Sequence, residues 1–118
     1  MEHKSNTDCS ADLIAVRDTL DVINGKWKIQ IIITMSKGNK RFGEIERSIP
    51  KITSKVLSKE LKDLEAHQLI KRTVYDSVPV SVEYTLLPYS MTLKKVIDSL
   101  RDWGIQHRKL IIGDKSGK

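Results

Sequence analysis

With 118 residues and no long apolar run, the chain has material for one modest hydrophobic core and no membrane span. Its one cysteine, Cys9, excludes an internal disulfide, and His3, His67 and His107 are too scattered to form a ligand set, so no metal and no cofactor is expected. The formal net charge of +6 is concentrated in residues 26–72, which hold 12 Lys/Arg against 5 Asp/Glu, whereas residues 1–25 hold 2 against 5 and residues 73–118 hold 7 against 5. A basic centre of this kind fits a polyanionic partner.

The polar residues 1–9 read as an N-terminal tail without a signal-peptide core, so the protein is expected to be cytoplasmic. From Ser10 to Ile23, Leu13, Val16, Leu20 and Ile23 recur at helical spacing, and Asn24-Gly25 closes that helix. The run from Trp27 to Met35 is rich in isoleucine and leans towards a buried strand by propensity. After a turn at Gly38-Asn39, Phe42, Ile45 and Ile49 form the seam of a short helix that must end near Pro50.

The segment from Ile52 to Glu65 is the most informative. Thr53 stands where an N-cap belongs, Leu57, Leu61 and Leu64 fall on one side of the ensuing helix, and Lys55, Lys59 and Lys62 lie within roughly 60° of one another on the opposite side, with Ser58 beside them. A domain can hold the first face while a polyanion meets the second. Ser54, Lys55 and Ser58 project from the N-terminal end, where the helix dipole favours phosphate.

Beyond Ala66 the period changes to two. Leu69–Tyr75 and Val80–Leu86 read as strands of a hairpin joined by Asp76-Ser77-Val78-Pro79. Pro88 opens a last helix with the seam Leu93, Val96, Ile97, Leu100 and Trp103, continuing to Leu110 and Ile111, and residues 113–118 read as a disordered tail. The fold class is therefore α+β, mainly α: a winged helix-turn-helix with a two-stranded wing, spanning residues 10–112, flanked by extra N- and C-terminal helices. Those two helices carry more apolar surface than so small a domain can cover, so Leu13, Leu20, Val96, Leu100 and Trp103 are assigned to a homodimer interface.

The pieces Asn24-Gly25-Lys26-Trp27, Arg41-Phe42-Gly43-Glu44-Ile45, Ile49-Pro50, Leu57 to Glu65, Arg72 to Tyr75, Val78-Pro79 and Val82-Glu83-Tyr84 together resemble the HxlR family of bacterial winged-helix transcriptional regulators, relatives of the MarR group. The resemblance covers roughly residues 9 to 104. It implies a homodimeric, nucleoid-associated DNA-binding regulator whose reading helix begins near Thr53 and whose wing is the Tyr75-to-Tyr84 hairpin, and it implies a helix rather than a strand after Trp27. The chain departs from the family pattern in having Gln68 in place of the usual glycine after the reading helix, Pro79-Val80-Ser81 at the wing tip without a cation, and Leu87-Pro88-Tyr89-Ser90 before the last helix.

The expected partner is duplex DNA with a pseudo-palindromic operator. Lys40, Arg41, Lys62 and the amides near Thr53 would neutralise phosphates, Ser54, Lys55, Ser58 and Lys59 would face base edges, and Ser77 and Ser81 are what the wing offers. Cys9, just ahead of the first helix, is a candidate redox sensor: backbone N–H groups there raise thiol reactivity, Asp8 and Asp12 work against it, and the resemblance adds family members that respond to oxidants or electrophiles. A small molecule or an oxidant is accordingly the expected effector class. No phosphate loop, nucleophile elbow or histidine pair is present, and Asp98 and Asp102 read as a solvated face, so no enzyme is expected. Trp27 and Trp103 read as core rather than as a ligand cage. The alternative from another class is a winged-helix adaptor whose lysine face grips an acidic protein.

Overall fold

A computed structural model describes residues 6–113. In chain order the elements are α1 (Asn6–Ile23), α2 (Lys28–Ser36), α3 (Phe42–Ser48), α4 (Ser54–Ala66), β1 (Ile70–Tyr75), β2 (Ser81–Leu86), a 3-10 turn (Pro88–Leu93) and α5 (Lys94–Ile112). The strands pair antiparallel from Ile70 opposite Leu86 to Tyr75 opposite Ser81. This is the expected winged plan.

The run after Trp27 is helical, against its strand propensity. Lys28, Ile31, Ile32 and Met35 are its buried positions, the i, i+3, i+4, i+7 spacing of one helix face, together with Thr34. A strand would have placed Ile29, Ile31 and Ile33 on one side, yet Ile33 is exposed. Helical isoleucine loses less than about 0.7 kcal/mol per residue relative to alanine, whereas burying each of Ile31, Ile32 and Met35 contributes about 1.5–3 kcal/mol. Burial wins.

Short-range chemistry fixes the remaining boundaries. Gly25, at φ 73°, supplies the left-handed residue that ends α1. At the start of α3 the Glu44 carboxylate accepts from the backbone N–H of Lys40 at 2.9 Å and of Arg41 at 3.2 Å. These two bonds, Lys40 first, hold its carboxyl below the usual glutamate range. At the end of α4, Gln68 takes the left-handed conformation (φ 63°) that a glycine would adopt freely. Its N–H reaches the Glu65 carbonyl at 2.9 Å while the Leu69 N–H reaches the Leu64 carbonyl at 3.1 Å, the two bonds of a Schellman closure. The strain at Gln68, about 1–2 kcal/mol, is offset because the closure brings Leu69 onto Leu64, both fully buried.

The core comprises Ile31, Ile32 and Met35 of α2, Ile45, Ile49 and Ile52 from α3 and the following turn, Leu57, Leu61 and Leu64 of α4, and Leu69 and Ile70 leading into the wing. Tyr84, Leu86, Leu93 and Ile97 pack against it. The Tyr84 N–H donates to the Lys40 carbonyl at 2.8 Å, which ties β2 to the start of α3, and the Leu87 N–H donates to the Leu69 carbonyl at 2.9 Å. Apart from Val22 and Ile23 at the end of α1 and Ile97 of α5, the long helices stand outside this core. Within α1, Leu13, Ile14, Val16 and Leu20 are each more than half exposed, and α5 has no buried residue. The radius of gyration, 18.1 Å, exceeds the value of about 13.5 Å expected for a compact chain of this length.

Three further sequence expectations need correction. First, α1 begins at Asn6, so Cys9 lies within its first turn rather than ahead of it. Second, Pro88 opens a 3-10 turn, and α5 proper begins at Lys94. Third, Trp103 is not core in the protomer: it is 64% exposed and stacks on His107 with ring centroids 4.6 Å apart, because α5 leaves the core after Ile97. Trp27, by contrast, does pack on the core. The tail after Gly113 lies outside the described residues. Leu61→Ala is expected to lower unfolding stability by about 2–5 kcal/mol in chemical denaturation, since a side chain that is 1% exposed leaves a cavity.

Candidate nucleic-acid interface

The candidate face is the outer side of α4. Thr53, with extended backbone angles (φ −97°, ψ 159°), caps the helix by accepting the Val56 N–H on its hydroxyl at 3.2 Å. The leucine seam is buried completely, which turns Lys55, Ser58, Lys59 and Lys62 to the exterior. Lys51, in the left-handed region at φ 70°, sits in the turn just ahead of the cap. It is a cation that sequence reasoning passed over, although its place two residues before Thr53 was there to be read.

Several of the sequence-assigned residues already have partners. The Ser54 hydroxyl donates to the Glu46 carboxylate at 2.6 Å, which spends that hydroxyl on linking α3 to α4. Arg41 leans on the wing, with Nη1 donating to Ser81 Oγ at 2.8 Å and Nη2 3.7 Å from the Glu83 carboxylate. The Ser77 hydroxyl closes its own loop onto the Pro79 carbonyl at 2.7 Å. Val78 and Val80 are exposed at the tip, so the wing presents apolar rather than cationic side chains there. Lys40, Lys55, Ser58 and Lys62 are the exposed residues of the set that have no side-chain bond to another described residue. The interface residues assigned to the long helices, Leu13, Leu20, Leu100 and Trp103, are exposed, and Val96 is half-buried.

The feature that sequence reasoning missed lies beneath α4. Lys28 of α2 is 4% exposed, and its ammonium donates to Glu60 Oε1 at 2.6 Å, to Asp63 Oδ2 at 3.3 Å and to Asn24 Oδ1 at 3.4 Å. All three N–H donors are used. Burial pulls its pKa down, but the hydrogen bonds and charges of Glu60 and Asp63 together outweigh that and hold it above the ordinary lysine value. Asp63 is held below the usual aspartate range, by the Lys59 hydrogen bond first and against a desolvation effect, with Lys28 adding to it. The signal in the sequence was a lysine inside an isoleucine run at the helical spacing of the core. Among the described residues no three His, Cys, Asp or Glu side chains group as a metal site, and Asp98 pairs with Lys94 and Arg101 on an exposed helix face.

A tri-helical core with a capped, lysine-faced third helix and a hairpin wing is matched by known proteins. A family model described as HxlR-like helix-turn-helix aligns with residues 22–111. The chain belongs to this HxlR-like family. The HTH-type transcriptional regulator YtcD of Bacillus subtilis (strain 168), itself uncharacterized, is 44% identical over 101 residues, covering 86% of this chain and 80% of the relative. The solved structure of the redox regulator HypR in its reduced form superposes with a TM-score of 0.73 at 40% identity, covering 82% of this chain and 96% of that one. A structure described as a MarR-family transcriptional regulator from Enterococcus faecalis V583 covers 95% of this chain and 96% of its own, with a TM-score of 0.72 at 31% identity. The HxlR-like chain is thus a transcriptional regulator of HxlR/MarR type.

The Lys28 anchor is open to direct measurement. Lys28→Ala leaves Glu60, whose side chain is 13% exposed, without its partner, and is expected to cost about 3–5 kcal/mol of stability in urea. The double variant Lys28→Met/Glu60→Gln should recover most of that loss. Equal stability of Lys28→Ala and the parent would remove the anchor from the account of how α4 is held.

Proposed function

We propose that this HxlR-like chain binds duplex DNA sequence-specifically as a homodimer and so regulates transcription, with α4 as the reading helix. One observation carries the reading: Lys55, Ser58 and Lys62 stand exposed on a helix whose opposite seam is sealed in the core and whose N-terminus is capped by Thr53. Lys55 and Ser58 then face base edges, where a lysine favours guanine O6 and N7, and Lys40 and Lys62 meet phosphates. Arg41 adds a phosphate contact from its post on the wing. Ser54, Ser77 and Ser81, whose hydroxyls are engaged within the protein, serve as supports for the turn and the wing, and Ser81 reaches the backbone only together with Arg41. Fragments selected from genomic DNA by the purified protein should share one pseudo-palindromic sequence, and Lys55→Ala should weaken binding to it by about 1–3 kcal/mol with the fold intact. Selection without any sequence preference would favour an adaptor that grips acidic partners.

The homodimer rests on the long helices. Their apolar side chains are uncovered in the protomer, and their charges are complementary: α1 has four Asp against one Arg, α5 five Lys/Arg against two Asp. Packing α1 of one protomer along α5 of another would bury both stripes and pair the charges, and a two-fold pair places the reading helices on half-sites about one helical turn apart. Light scattering at micromolar concentration should give a dimer, and Trp103→Asp or Leu20→Asp should give monomers that retain the core fold. A monomeric parent protein would end this part of the reading.

Cys9 is proposed as a redox- or electrophile-responsive thiol, with an oxidant or small electrophile as effector. It is exposed in the first turn of α1, and the similar regulator HypR has been solved in reduced and oxidised forms. As the one cysteine of the sequence, it can form a disulfide only across the dimer or with a small thiol. Diamide or a quinone should change the dissociation constant for the selected DNA in the parent and leave Cys9→Ser unaffected. A ratio near one, with Cys9 shown by mass spectrometry to be modified, would make it a bystander.

A further inference from the structure

The lysine face of α4 is not electrostatically uniform. Lys55 and Lys62 have no ion-pair partner among the described residues, but the ammonium of Lys59 lies 3.0 Å from Asp63 Oδ2. That same oxygen lies 3.3 Å from the ammonium of Lys28. The two cations differ in freedom. Lys28 is locked by Glu60 at 2.6 Å with a side chain 5% exposed, whereas the Lys59 side chain is 70% exposed and its i, i+4 pair is of the weak, salt-screened kind.

We propose that Asp63 is a positioning residue of the DNA face: it parks Lys59 in the free protein and releases it to a DNA phosphate, and the buried Lys28 is the fixed counter-charge that makes the release favourable. When Lys59 leaves, Lys28, Glu60 and Asp63 retain one net negative charge between them. Without Lys28, the two carboxylates would be left facing a polyanion with no cation at all, and Lys59 would be retained by them instead. This inference rests on α4 being the DNA-binding helix, and the experiment is arranged so that the two can fail separately.

The probe is a mixed-sequence duplex, with affinity measured as a function of salt, since each phosphate neutralised contributes about 0.9 to the slope of log K against log salt. If α4 faces DNA, Lys62→Ala, which removes a phosphate contact, lowers the slope by about that amount; no change would refute the DNA reading, and the present inference with it. Given that response, Asp63→Asn, which keeps the Lys28–Glu60 pair, should raise affinity several-fold at low salt with an unchanged slope. The gain should vanish in the Lys59→Ala background, which separates release of Lys59 from the general effect of removing an anion. In Lys28→Met, which leaves Glu60 and Asp63 both charged, the slope should drop by about 0.9 and adding Lys59→Ala should lower it no further, whereas Lys28→Met/Glu60→Gln, which again leaves one net negative charge when Lys59 departs, should keep the parent slope. A purely structural role for Lys28 would not move the slope in that way. The inference is overturned if Asp63→Asn fails to raise affinity or if its gain persists without Lys59. Should the Lys28 variant not fold, the Asp63 and Lys59 cycle decides alone.

Discussion

Everything exposed on α4 depends on how it is held from behind. Leu57, Leu61 and Leu64 supply the non-directional part of the grip, burying one side of the helix completely. Hydrophobic contact alone tolerates sliding and rotation by a fraction of a turn. The Lys28 ammonium, directed at Glu60 and Asp63 one turn apart on α4, adds an angular constraint that leucines cannot provide. A buried ion pair of this type is a poor source of net stability compared with an apolar replacement, but it penalises misplacement heavily. The outcome is a helix whose rotation about its own axis, and hence the choice of side chains facing outward, is set by both kinds of force.

Much of this arrangement was legible in the sequence, and the parts that were not have specific causes. The α4 seam and its Thr53 cap could be read because the leucine spacing and the capping chemistry point the same way. In α2 propensity and periodicity disagreed, and the isoleucines masked the 28, 31, 32, 35 spacing that burial obeys. Lys28 was passed over because a lysine at a core position is ordinarily read as an interruption of the pattern, and its two carboxylate partners lie more than thirty residues on. The helix closure at Gln68 looked like a defect from composition alone. It is sustained by a neighbour, Leu69, whose burial depends on the tertiary fold. The hydroxyl and guanidinium commitments of Ser54 and Arg41 were equally out of reach, since Glu46, Ser81 and Glu83 come near them only in three dimensions.

The two long helices show the opposite limit. Their apolar periodicity was plain, but the pattern does not say against what they pack, and Trp103 reads the same whether it is buried in its own domain or in another copy. The protomer resolves half of that ambiguity by leaving Trp103, Leu100, Leu13 and Leu20 uncovered. The acidic α1 and basic α5 supply the complementarity that makes a second copy the proposed cover.

The closure at Gln68 has a consequence for mechanics. Only His67 and the left-handed Gln68 separate α4 from Leu69, and Ile70 already pairs in the hairpin opposite Leu86. With no slack between them, and with the hairpin pinned again at Lys40 by Tyr84, α4 and the wing behave as one casting. Gly25, at φ 73°, marks the turn by which α1 joins this block, with Ile23 buried before it and Trp27 packed on the core after it. In the proposed dimer, a signal received on the long helices would therefore act like the screw of a caliper, changing the gap between two jaws of fixed shape.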